Sequence, residues 1–216
     1  MIEVQGRRNS ANVQKVMWTL GELDLEYVRE DIGGSFGYPA NYKNPTQVVP
    51  TIHDQDFTVW ESNACVRYIA KAYGEGSLWP TDNQTLAIAD QWMEWMRSEF
   101  SGAFFPVFQG LIKFDKTTSE LHQQIETLGN AYGQLDEWLQ NKNFIAGDTL
   151  TIGDIPIGTM TYRFMTMPIT RPTLPNVEKW YERLCNRAAY QKHVMIPYGS
   201  NSKEWAIEEA KTKGVQ

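Results

Sequence analysis

Residues 48–70 read VVPTIHDQDFTVWESNACVRYIA. Thr51–Asp54 and Phe57–Trp60 each have the composition of a short strand, and Asp54-Gln55-Asp56 between them is a tight turn, so strand, turn and strand are expected. Glu61 and Ser62 then open a helix whose apolar face is Ala64, Cys65, Tyr68, Ile69 and Ala72. Val49 stands before Pro50, the one residue type whose preceding bond is readily cis. Held there, Val49 presents its N–H and C=O as an edge that can pair with an extended peptide. Ser62 offers a hydroxyl and backbone N–H groups where a helix start favours an anion. Glu61 beside it can accept an ammonium. An amino-acid end carries both charges on one carbon, so the adjacent pair forms a clamp matched to such a group.

Working outward, Ile2–Gln5 reads as a strand, followed by Gly6 and the polar stretch Arg7-Arg8-Asn9-Ser10. A helix follows, with Val13, Val16, Met17, Leu20 and Leu23 at helical spacing, and residues 26–31 form a second strand. Residues 33–45 are rich in Gly, Tyr, Asn and Pro and predict irregular structure. After the linker at 74–85 only helical periodicity is left. One helix is marked by Ala89, Trp92, Met93, Met96 and Phe100, and a second by Leu121, Ile125, Leu128, Tyr132, Leu135 and Leu139. A third is expected to start at Thr151, a fourth to cover 177–186, and residues 202–213 form a last helix or a frayed tail. The expected architecture is an α/β domain over 1–80 and an all-α domain over 86–216.

The 216 residues carry a net charge of −6, with 42% apolar, 12% aromatic and 21% charged residues. That balance is globular rather than disordered, and an acidic chain lacks the basic face of a nucleic-acid binder. A pocket can still be locally basic, and Arg7, Arg8 and Lys15 could supply that. Cys65 and Cys185 are far apart, with no CxxC, so neither a disulfide scaffold nor a zinc site is expected. His53, His122 and His193 show no ligand spacing, so no metal is expected. No apolar run has the length of a signal peptide or a membrane span, and a cytoplasmic protein with no membrane partner is expected.

The segment from Val49-Pro50 to Glu61-Ser62 resembles the glutathione-binding half of cytosolic glutathione S-transferases, and the resemblance extends over the whole chain. It implies a thioredoxin-like N-terminal domain and an all-helical C-terminal domain. Glutathione is then the co-substrate, a hydrophobic electrophile or a disulfide the second substrate, and a homodimer the expected assembly. By the same resemblance Glu61 and Ser62, with Asn63, hold the γ-glutamyl end, and Val49 before Pro50 pairs with the middle of the tripeptide. Gln47 reaches the far end, with Lys43 a looser candidate. Thr151-Ile152-Gly153-Asp154 has capping-box spacing and matches a family motif used for folding. Phe144-Ile145-Ala146-Gly147-Asp148 before it also matches.

The catalytic group is expected between the first strand and the first helix. Tyrosine and cysteine are absent there; Ser10 matches the catalytic serine of theta- and delta-like enzymes, and Asn12 an asparagine of some bacterial classes. Theta-like and nu-like transferases are the nearest resemblance. Ser10 would donate a hydrogen bond to the glutathione thiolate rather than act as a nucleophile. Alternatives stay open at this point. Ser10 or Asn12 could only cap the helix, and Arg7 and Arg8 could be solvated surface residues. Phe100, Phe104, Phe105 and Phe108 could line a substrate pocket or pack in the core. The thiolate could reduce disulfides in place of conjugating electrophiles, or the chain could be a non-catalytic binding relative.

Overall fold

The computed structural model describes residues 1–216. Its first part is a four-stranded mixed sheet built from β1 (Ile2–Gln5), β2 (Tyr27–Glu30), β3 (Thr51–Asp54) and β4 (Phe57–Trp60), in the order β2-β1-β3-β4. The 21 residues between β1 and β2 hold α1 (Ala11–Glu22), and that crossover makes the two strands parallel, with Ile2 opposite Tyr27. β3 runs antiparallel to β1, and β4 pairs back on β3 through the expected turn, where Gln55 adopts φ 55°. α2 (Ser62–Tyr73) follows directly and packs against α1 and the sheet.

Three-quarters of α1 is buried, from Val13 to Leu20 without a break. A helix buried all round needs cover on both sides. One side meets Val4, Val49, Ile52 and Cys65 in a core of the α/β part. The other side enters the larger core, where Ala11 and Trp18 join residues of the helical part.

That helical part contains α3 (Asn83–Trp95), α4 (Ser101–Lys113), α5 (His122–Trp138), α6 (Asp154–Thr166), α7 (Pro175–Cys185), α8 (Ala188–His193) and α9 (Ser202–Lys211). α3 starts at Asn83, inside the stretch read as linker, because Asp82 accepts a capping bond from Thr85 N at 2.8 Å. The helix marked by Ala89 to Phe100 does not end there. A π turn at Met96–Phe100 shifts the hydrogen-bond register, and α4 continues from it. α7 begins at Pro175 rather than 177, since proline is well suited to the first helical turn. α8 was not expected; it is too short to show a period.

Helix α6 begins at Asp154, not Thr151, and the four-residue motif is a turn ahead of it. Asp154 is fully buried and accepts hydrogen bonds from Ile145 N, Thr151 N and Trp180 Nε1 at 2.9 Å each, and from Thr151 Oγ1 at 3.2 Å. It therefore joins the Phe144–Gly147 turn, the start of α6 and helix α7. Thr151 Oγ1 accepts from Gly153 N at 3.3 Å, so only the acid half of the capping box takes its usual form. The C-terminal segment crosses back to β2, where Val215 O and Gln216 accept from Arg29. No helix is long and apolar enough to cross a membrane.

Candidate active site

The turn from β1 into α1 is drawn close to the loop before β3. A Cβ on Gly6 would lie 2.4 Å from Val13 Cγ2 and 3.2 Å from Val49 Cβ, so only glycine permits the approach. The peptide between Val49 and Pro50 is cis. Ser10 follows at the N-cap of α1, almost fully buried, and its backbone C=O accepts from Gln14 N at 2.9 Å. Its side chain makes no capping bond, which removes the capping reading. Ser10 lines a cavity of about 320 Å³, together with Asn12 and Val49.

A second cavity, of about 250 Å³, is lined by Glu61, Ser62, Asn63 and Lys15, and Asn12 borders both. Glu61 precedes α2 with φ 70° and ψ 114°, a backbone setting that a non-glycine residue adopts only under constraint. Ser62 Oγ donates to Asn12 Oδ1 at 3.3 Å, joining the clamp to the start of α1. Behind them Lys15 Nζ donates to Ser62 Oγ and Asn63 Oδ1, both at 3.3 Å, while Asn63 Nδ2 donates to Met93 O at 3.2 Å. Lys15 is buried with no carboxylate in contact, and desolvation lowers its pKa to about 7, against a smaller opposing pull from Glu61.

The structure thus brings Ser10, Asn12, Val49, Glu61, Ser62 and Asn63 around two adjoining cavities. Pro50 is buried beneath the Val49 edge. Gln47 and Lys43 stand exposed and line neither cavity, and Gln47 Nε2 donates to Asn44 O at 3.0 Å. Arg7 and Arg8 are half-buried rather than free surface residues. Arg7 ion-pairs with buried Glu209 at 2.7 Å, and Arg8 donates to Lys192 O at 3.0 Å, both anchored by segments far along the chain. The phenylalanines divide. Phe100 and Phe104 are core residues, Phe105 forms part of the cavity wall near Ser10, and Phe108 belongs to both.

Burial pushes the Cys65 thiol up to about 12, so it is inert as a nucleophile. His193 is also buried, and desolvation lowers it to about 4.

Three contributors were missed from sequence. Asn9, 1% exposed beside Ser10, leaves both amide atoms without a partner. Arg163 from α6 and Lys113 from α4 reach the Ser10 cavity across the boundary between the two parts. A lone arginine within the apolar run of α6 was the available signal for Arg163; Asn9 carried none.

The geometry agrees with comparisons to known proteins. Residues 9–72 match the family described as Glutathione S-transferase, N-terminal domain, and residues 91–188 match Glutathione S-transferase, C-terminal domain. The chain belongs to the glutathione S-transferase family. Its similarity to Glutathione S-transferase GstB of Escherichia coli K12 is 34% identity over 206 residues, covering 91% of this chain and 99% of that one. The theta class glutathione S-transferase of Xanthomonas axonopodis pv. citri, solved with glutathione bound, superposes with a TM-score of 0.85 at 36% identity, over 91% and 98% of the two chains. Glutathione transferase F7 of Populus trichocarpa, at 20% identity and a TM-score of 0.78 over 89% and 97%, shares the fold. Among glutathione S-transferases this one is theta-like, with the family's two domains in the family's order.

Proposed function

We propose that the protein binds glutathione across the two cavities, with the glutamyl end at Glu61, Ser62 and Asn63, the peptide middle on the Val49 edge, and the thiol at Ser10. The observation that carries this reading is Ser10, which makes no capping bond and lines the same cavity as Val49. A free thiol titrates near ~8.5, so only a few per cent is thiolate at neutral pH. A hydrogen bond to a charged group contributes ~1.5–3 kcal/mol, and the start of α1 adds ~0.3–1, together enough to lower the thiol by about two units. The thiolate then attacks the electrophile, with the sulfur bond forming as the leaving group departs. Asn12 is the second donor. Its carbonyl is taken by Ser62, and Asn12 borders both cavities.

The test is the thiolate absorbance of the enzyme–glutathione complex against pH. Ser10→Ala raises the apparent thiol pKa by about one to two units and lowers turnover, with little change in dissociation constant at a pH where the thiol is protonated. An unshifted titration in both Ser10→Ala and Asn12→Ala would sink this assignment.

The assembly proposed is a homodimer formed on the side of edge strand β4, where Phe57 is 56% and Trp60 38% exposed. Sedimentation velocity is expected to show a dimer that Phe57→Asp weakens by at least about tenfold in dissociation constant, as for a central interface aromatic. A cytoplasmic setting fits the two free cysteines.

A further inference from the structure

We propose that the second substrate carries an anionic group, received by Lys113 and Arg163 on the α4/α6 wall of the Ser10 cavity. This rests on the glutathione reading above and extends it to the class of electrophile. The chain as a whole bears a charge of −6, yet this cavity is lined by three cations, Arg7, Lys113 and Arg163, and by no acid, with Glu209 the nearby carboxylate that acts on Lys113. Glu209 is already held by Arg7 at 2.7 Å.

Arg163 is fully buried and has no carboxylate partner. Its guanidinium donates to Asn9 O at 2.6 Å and Gln14 Oε1 at 3.3 Å, and stacks over the Phe108 ring at 4.6 Å. Lys113 Nζ lies 4.9 Å over the Trp205 ring and also lacks an acid in contact. Desolvation lowers both, each further repelled by Arg7. A buried cation left without its counter-charge is costly, and an incoming carboxylate offsets that cost through charge-assisted hydrogen bonds.

The division of labour follows from placement. Arg7 lies near Val49, since both would crowd a Cβ on Gly33, so it belongs to the glutathione side. Lys113 and Arg163 come from the helical domain, on the same wall as Phe105 and Phe108. An aromatic electrophile bearing a carboxylate meets both the rings and the cations.

A matched pair of aryl halides tests this, 4-chloro-3-nitrobenzoate and the neutral 4-chloro-3-nitrobenzamide. In each, the glutathione thiolate bonds to the ring carbon bearing chlorine and chloride leaves with the electron pair; the carboxylate is a spectator. Each kcat/KM is divided by the uncatalysed rate constant, and the benzoate-to-benzamide ratio is formed. The parent enzyme is expected to give a ratio of about ten or more, equal to about 1.4 kcal/mol of discrimination. Lys113→Met, which keeps an apolar stem against Trp205, lowers the ratio about fivefold or more, and Lys113→Arg restores it.

A parent ratio of one or below overturns the proposal. So does a Lys113→Met ratio equal to the parent's, or a loss shared by both substrates and matched by weaker glutathione binding. Turnover of the benzamide with no preference for the benzoate removes this inference alone. Absence of glutathione binding and of turnover with both halides removes the glutathione reading and this one together.

Discussion

Lys15 has the most unusual environment of any side chain near the site. It lies behind the clamp, bonded to Ser62 and Asn63, with no counter-ion in contact. Because its folded pKa is lowered to about 7 from 10.5, the unfolded chain holds a proton that the folded chain releases across that interval. Stability should therefore rise as pH climbs from about 7 toward about 10. Lys15→Met should flatten that rise and stabilise the unliganded protein at pH 7 by on the order of 1 kcal/mol, with urea melts at several pH values as the measurement. A parent whose stability falls across this range would contradict the assignment. Lys15 was visible in sequence only as one of several early cations. Its partners lie 47 and 48 residues downstream, a separation that no local pattern reports. Glu61 and Ser62 were legible as a pair because a hydroxyl and an acid at a helix start have specific physical uses, whereas Ser10 was picked out by resemblance. Gln47 was placed by resemblance, and its side chain turns to Asn44 instead.

At the level of elements, the start of α6 depends on Asp154. Removing its carboxylate leaves two backbone N–H groups and the Trp180 indole N–H without acceptors, all buried. Asp154→Ala should thus destabilise by about 3–5 kcal/mol, well beyond the usual loss of a cap. Turnover per folded molecule should stay within about twofold, because Asp154 lines neither cavity. Paired denaturation and active-site titration separate the two effects, and full stability with lost activity would reverse the assignment. The motif was readable, but its register was not. The expected helix start at Thr151 came from spacing alone, whereas the buried carboxylate reaches back to Thr151 and Ile145 and so needs a turn ahead of α6. The π turn after Trp95 escaped detection for a related reason. Apolar residues continue at near-helical spacing through Met96 and Phe100, so the period hides one extra residue in the turn.

Across the whole molecule, the two domains share a core. Trp18 from α1 is fully buried against Tyr190 at 4.8 Å and fills the space above Gly158 in α6. Glu22, one turn further along α1, accepts from Arg187 at 2.6 and 2.8 Å. Unfolding is expected to be one cooperative transition by calorimetry. Trp18→Ala should cost about 3–5 kcal/mol and lower Tm by about 6–20 °C. Two resolved transitions in the parent, with only one moved by the substitution, would show that the domains fold independently. The order of strands and helices in the α/β part followed from sequence, whereas α4 and α8 of the helical part did not. This shared packing did not, although the run Val16-Met17-Trp18, too apolar for a helix with one wet face, is its trace.

The same helix that carries Ser10 and Asn12 at its start is thus wedged into both domains along its length. The spacing between the sulfur's station and the wall formed by Phe105, Phe108, Lys113 and Arg163 is then a dimension of the packed interior, like the gap of a fixed caliper. Lengthening the connection between Tyr73 and Asn83 leaves that gap unchanged. Discrimination among electrophiles by size and charge falls to the side chains on the far jaw, of which Arg163 is also bonded to Asn9 and Gln14 on the glutathione side, whereas Lys113 is not.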